Sequence, residues 1–126
     1  MWELYERPKR ERRKNIFAGI NINKGGMFLN RMACELIGMG PGDVRYFLFF
    51  TDKEKPNLYG FLALLSPQKH EKNVYKVRYR EFNRTAKVNA KQFIILHRML
   101  EKAAKVGEST FPLTKEKDDF YSFEIK

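Results

Sequence analysis

Cysteine and histidine are almost absent from this chain of 126 residues, which contains Cys34 and two histidines. A single cysteine can form neither an internal disulfide nor a cysteine-based zinc site, so we expect no bound metal and a reducing, cytoplasmic environment. No stretch approaches the ~18 consecutive apolar residues of a membrane-spanning helix, which argues against a membrane protein. The first residues lack the apolar segment of a secretory signal.

The remaining composition is that of a folded protein, with 43% hydrophobic and 14% aromatic residues. A chain of this length can bury one hydrophobic core but not two independent ones. We therefore predict a single globular domain over residues 16–126, preceded by a basic arm over residues 1–15 that is disordered on its own.

The formal charge of +10 is concentrated in two segments. Residues 69–91 contain eight basic and two acidic side chains, and residues 1–14 contain six and three. A positive field of this kind attracts polyanions, because neutralising phosphates releases their counterions. The alternative interpretation is that the charge only maintains solubility.

Alternation of apolar and polar residues predicts an antiparallel sheet as the main structure. The predicted strands are 16–23, 27–29, 44–51, 58–65, 74–82, 84–88, 110–113 and 120–125.

Two helices are predicted between these strands. Asn30 is placed to cap a short helix over residues 31–37 that Gly38 ends. Asn89 is placed to cap a long helix over residues 90–106 that Gly107 ends. The predicted fold class is therefore α+β, a mainly antiparallel sheet with one short and one long helix.

A weak internal repeat relates residues 16–65 to residues 74–126. In both, Asn30 or Asn89 follows a strand and opens a helix, and a glycine and a hairpin come next. This order predicts an internally duplicated β-α-β-β unit.

Catalysis has little support in the sequence, because nucleophilic mechanisms need a base beside the nucleophile. Cys34 lies within the short helix, His70 in a polar loop, and His97 on the long helix. None has a partner nearby in sequence, so we predict a non-enzymatic protein without catalytic residues or a cofactor.

A nucleic-acid site is better supported, because Lys76, Arg78 and Arg80 alternate with Tyr75, Val77 and Tyr79. On a strand, such alternating residues project from one face about 6.6 Å apart, close to the spacing of successive phosphates. The tyrosines could stack bases or pack in the core. The predicted nucleic-acid-binding residues are Lys76, Arg78, Arg80, Arg84 and Lys87, with Arg10, Arg12 and Arg13 of the arm. The alternatives are a solvated strand face and a solubilising tail.

Residues 20–65 resemble the AbrB-type swapped-hairpin transcriptional regulators. The segments Lys24-Gly25-Gly26-Met27-Phe28-Leu29, Ile37-Gly38-Met39 and Pro41-Gly42-Asp43 keep that family's order and spacing. Asn30 replaces the family's proline, and Cys34 replaces its DNA-contacting arginine. The resemblance implies a small dimeric or duplicated β-rich fold with DNA-binding relatives.

Residues 44–106 resemble the Whirly-like transcriptional coactivators that bind single-stranded DNA. The segment Val77-Arg78-Tyr79-Arg80-Glu81-Phe82 corresponds to a basic strand, and Asn89-Ala90-Lys91-Gln92-Phe93 corresponds to a helix entry. This resemblance implies twisted antiparallel strands leading into one long helix.

These observations favour a DNA-binding, transcription-associated protein whose partner is single-stranded or duplex DNA. The alternative is a protein-interaction module or an oligomeric structural protein, with an exposed sheet edge or the Phe-rich strands pairing with a partner. A homodimer is compatible with both.

Overall fold

The computed structural model describes Glu3 and residues 17–67 and 72–126, which form eight antiparallel strands and three short helices. The predicted basic arm over residues 1–15 lies, apart from Glu3, outside the described residues. The predicted boundary between this arm and the globular domain therefore stays a prediction. The strands are β1 Gly19–Asn23, β2 Gly26–Leu29, β3 Val44–Thr51, β4 Leu58–Leu64, β5 Val74–Arg80, β6 Thr85–Val88, β7 Thr110–Lys117 and β8 Phe120–Glu124. The helices are α1 Arg31–Ile37, α2 Lys91–Leu96 and α3 Met99–Val106.

The strands close into a barrel in the order β1-β2-β6-β5-β3-β4-β8-β7, and β7 returns to β1. The predicted α+β class is therefore wrong, because the helices are short and the sheet closes on itself as a mainly β structure. Each of the eight described strands has two neighbours, so none of them presents the free edge through which sheets pair with partners.

Large side chains fill the interior of the barrel. Phe47 of β3 and Phe61 of β4 are fully buried and stack with ring centroids 4.1 Å apart. Ile20 of β1 and Val77 of β5 are also fully buried. An eight-stranded barrel has an interior that side chains can just fill, so the apolar member of each alternating pair points inward.

The strand order has an internal symmetry. If β1, β2, β3 and β4 are exchanged with β5, β6, β7 and β8, respectively, the same closed order results, read in the opposite direction. Hairpin β1–β2 lies beside hairpin β5–β6 in this order. Each half consists of two strands, a helical segment and two more strands. The predicted β-α-β-β unit is therefore wrong, because each half has two strands before its helical segment and is a β-β-α-β-β unit.

Helix α1 has the predicted bounds. The Asn30 side chain accepts a hydrogen bond from the Ala33 backbone N–H at 2.8 Å and caps the helix. It also accepts from the Gly19 N–H at 3.0 Å and donates to the Phe17 carbonyl at 3.0 Å. Gly38 ends the helix with a φ of 85°, a conformation that glycine adopts without strain.

The predicted long helix is two helices, α2 and α3, separated at His97 and Arg98. Arg98 has a φ of 50°, which interrupts the helical path. Asn89 is not the cap, because α2 begins after Ala90 without a side-chain hydrogen bond. Leu96, the last residue of α2, is 76% exposed.

The break between α2 and α3 lets both helices bury residues against the barrel. Phe93 and Ile94 of α2 are buried, as are Met99 and Ala103 of α3. Packing against a curved surface therefore overrides the continuous helical periodicity of this segment. Among the described residues, no helix has the length and apolar character needed to cross a membrane.

Candidate nucleic-acid interface

The outward face of β5 carries three cations. Lys76, Arg78 and Arg80 are exposed, whereas Val77 between them is fully buried. Successive side chains of a strand point to opposite faces, so the buried valine directs its neighbours outward. The structure thus brings together the three residues that the alternation predicted.

Strand β6 adds a fourth cation to this face. Lys87 lies directly opposite Arg78 in the antiparallel register, and Thr85 lies opposite Arg80. The four cations line an open groove of about 450 Å³ together with Tyr79 and Asn89. We call this surface the cationic groove, defined by Lys76, Arg78, Arg80 and Lys87.

Carboxylates do not neutralise the cationic groove within the part of the chain that the structure describes. No Asp or Glu from that part lines it. The ion pairs among the described residues join Arg31 to Glu35 and Lys126 to Glu124, and none of these four residues lines the groove. The groove therefore combines four positive charges with access to solvent.

An aromatic side chain, Phe28 of β2, extends this face by one more strand. Phe28 lies opposite Lys87 and is half-buried. Its ring centroid is 5.7 Å from Arg80 Cζ and 5.9 Å from Lys87 Nζ, distances at which a cation is attracted to a ring face. Two cations are thereby held above one ring.

Sequence reasoning missed Phe28, although a signal for it exists. Met27 and Leu29 on either side are fully buried, so alternation alone directs Phe28 outward. Its position beside Lys87 depends on the pairing of β2 with β6, strands separated by more than 50 residues. No local pattern indicates that pairing.

Arg84 is not part of the cationic groove. It lines a neighbouring groove of about 290 Å³ that also includes Arg31, Glu35 and Cys34. The structure therefore brings four of the five predicted residues of this region together and places Arg84 to one side. The predicted arm residues Arg10, Arg12 and Arg13 lie outside the described residues.

The two tyrosines of β5 face inward rather than toward a ligand. Tyr75 packs edge-on against Phe49, with ring centroids 5.4 Å apart. Tyr79 is half-buried and packs against the core. It also lines both the cationic groove and the neighbouring groove that contains Arg84. Their role is mainly in the core, as one of the two sequence interpretations proposed.

Of the three residues considered for catalysis, Cys34 and His97 lie within the described part of the chain. Cys34 is buried, and this burial, reinforced by Glu35, raises the pKa of its thiol to about 12. His97 packs against Tyr59, with ring centroids 5.6 Å apart. Burial lowers the pKa of the His97 imidazole, and the positive charge of nearby Lys102 lowers it further. His70 lies outside the described residues.

No three His, Cys, Asp or Glu side chains within residues 17–67 and 72–126 converge as they would around a metal ion.

Comparison of the chain with protein-family models, with curated proteins and with solved structures found no match.

Proposed function

We propose that this chain is a non-enzymatic, cytoplasmic protein that binds DNA in a transcription-associated role, through the cationic groove. The observation that carries the proposal is the convergence of Lys76, Arg78, Arg80 and Lys87 on one groove that no described carboxylate lines. Phosphate groups are the ligands that such a surface favours, because each contact releases condensed counterions.

The arrangement of the charges supports ligand binding over simple solubility. Like charges placed directly opposite on neighbouring strands destabilise a sheet, and Arg78 lies opposite Lys87. Solubility is served equally well by cations that are spread over the surface and mixed with anions. A bound polyanion would relieve the repulsion that the groove concentrates.

The barrel itself does not require these cations. Strand β1 has the position in the symmetric strand order that β5 has in the other half. The side chains of β1 that alternate with buried Ile20 and Ile22 are Asn21 and Asn23, both uncharged. The same position in the strand order is thus occupied by neutral outward residues on β1 and by cations on β5.

The test is a charge reversal of the groove. A variant with Lys76→Glu, Arg78→Glu and Arg80→Glu should bind fluorescein-labelled DNA at least about tenfold more weakly in fluorescence anisotropy. The slope of log affinity against log salt should also decrease by about 2, since each lost phosphate contact removes about 0.7 for a single strand.

The matched control is a variant with Lys53→Glu, Lys55→Glu and Lys115→Glu. These lysines are exposed and lie outside the groove, and the change in net charge is identical. The proposal expects this control to retain most of the affinity and the salt slope. Equal losses in the two variants would show that net charge, and not the groove, determines binding.

A relation to AbrB-type regulators is part of the proposal. In its support, β1, β2, α1, the turn of Pro41 and Gly42, and hairpin β3–β4 follow in the order that the resemblance implies. Cys34, which stands where that family has its DNA-contacting arginine, is buried, so the groove on β5–β6 would have to replace that contact. The Whirly-like resemblance is supported by the basic strand but not by one long helix.

A protein-interaction role is the second candidate, favoured by exposed apolar side chains. Ile95 and Leu96 of α2 are 73% and 76% exposed and adjacent in sequence. A partner would dock on this face, because the described strands have no free edge. A stable oligomer in light scattering, together with DNA binding unaffected by the groove reversal, would favour this candidate.

A further inference from the structure

The fully exposed ring of Phe82 bears on whether the nucleic acid bound by the cationic groove is single-stranded or duplex, a question that rests on the proposed function. Phe82 lies in the tip between β5 and β6 and is 100% exposed. We infer that the cationic groove binds a single-stranded nucleic acid and that an unpaired base of this strand stacks on Phe82.

The position of Phe82 links it to the cationic groove. It follows Arg80 by two residues at the end of β5, and Arg84 follows it by two more. Both arginines are exposed. Phe82 thus lies between two exposed arginines in sequence, directly beyond the cations of β5. An exposed aromatic side chain next to a row of cations combines the base-stacking and phosphate-binding elements of single-strand binding surfaces.

The hairpin tip is ordered by its own hydrogen bonds, which present the ring to solvent. The Asn83 side-chain oxygen accepts from the Thr85 hydroxyl at 2.6 Å and from the Thr85 backbone N–H at 3.3 Å. Arg84 takes up the left-handed conformation that closes the turn, with a φ of 55°. Phe82 itself is left without burial, so its ring has no packing role in the barrel.

A single strand fits this arrangement better than a duplex. From Lys76 to Arg80, β5 covers about 13 Å at ~3.3 Å per residue, roughly the length of two nucleotide steps, and Phe82 follows in the turn. Every unpaired base offers a face for stacking, whereas the bases of a duplex are already stacked on their neighbours. Phe28 is half-buried beneath Arg80 and Lys87, so Phe82 is the ring of this region that is open to a base.

The experiment compares three labelled probes of about 12 units by fluorescence anisotropy over a series of salt concentrations. The probes are an oligothymidylate, an abasic strand with the same phosphate spacing, and a duplex. The inference predicts that wild-type protein binds the oligothymidylate at least about fivefold more tightly than the abasic strand, and more tightly than the duplex.

The variant Phe82→Ala isolates the ring. It should weaken oligothymidylate binding by about fivefold or more, leave binding to the abasic strand unchanged, and leave the salt slope unchanged, since no phosphate contact is lost. Phe82→Trp should restore the affinity. The matched control is Leu96→Ala, which removes a 76% exposed apolar side chain on α2, beyond the other end of β6.

The outcomes separate this inference from the proposed function. Equal binding of oligothymidylate and abasic strand, a tighter duplex, or no effect of Phe82→Ala would overturn base stacking while leaving a polyanion-binding groove. Failure of all three probes to bind at low salt would overturn the proposed function itself.

Discussion

Arg78 of β5 and Lys87 of β6 lie directly opposite each other on the outside of the barrel, in a row that continues to Phe28 of β2. Cross-strand neighbours on one face are about 4.5–5.5 Å apart at Cβ, so their charges repel. Opposite charges at such a pair contribute roughly 0.2–1 kcal/mol to a sheet, whereas like charges destabilise it. The pair therefore opposes folding and favours a bound anion.

Asn30 is predicted to link the start of α1 to the start of β1. Asn30→Ala removes three hydrogen bonds, to Ala33, Gly19 and Phe17, and should lower the free energy of unfolding by about 1–2 kcal/mol. Asn30→Asp keeps the oxygen that accepts from Ala33 and Gly19, and should lose less. Urea denaturation of both variants measures the difference.

Equal destabilisation by the two Asn30 substitutions would contradict this prediction. It would indicate that donation to the Phe17 carbonyl, and not the cap, dominates. DNA binding serves as the internal control, because Asn30 lies outside the cationic groove and neither substitution should change the affinity of the folded protein.

Cys34 is predicted to remain an unreactive thiol in the folded protein. Because burial raises its pKa to about 12, little thiolate is present near pH 8, and the side chain is also inaccessible. A maleimide reagent should label the protein slowly in buffer and rapidly in urea. Fast labelling of the folded protein would contradict the buried position.

The raised pKa of Cys34 also has a consequence for stability at high pH. The folded state favours the protonated thiol. The contribution of this preference to the free energy of unfolding is fully present below about pH 8.5 and is lost as pH rises toward 12. The unfolding free energy of Cys34→Ala should therefore decline less steeply over this interval than that of the wild-type protein.

Local patterns in the sequence predict the individual elements of this barrel well. Alternation gives the bounds of β3 correctly, and Asn30 with Gly38 gives those of α1. Barrel closure depends instead on the pairings β2–β6, β3–β5, β4–β8 and β1–β7, which join residues distant in sequence. The periodicity of a strand contains no information about which distant strand lies beside it, so the sequence predicts an α+β sheet where the structure has a closed barrel.

The same distinction applies to the helices and the site. The periodicity of residues 90–106 is continuous, yet packing on the barrel bends the chain at Arg98. The cations of β5 could be predicted because a buried valine separates them. Phe28 could not be placed beside Lys87, and Arg84 could not be separated from the groove, without the three-dimensional arrangement.

The most direct test of the account is Lys87→Glu, with affinity and stability measured on the same preparation. The new carboxylate faces Arg78, so the urea midpoint should rise by the equivalent of about 0.2–1 kcal/mol, while affinity for DNA and its salt slope decrease. Lys53→Glu, an equal charge change in an exposed loop, should leave both nearly unchanged. A Lys87→Glu protein that binds DNA as tightly as the wild type would contradict the assignment of the groove as the binding site.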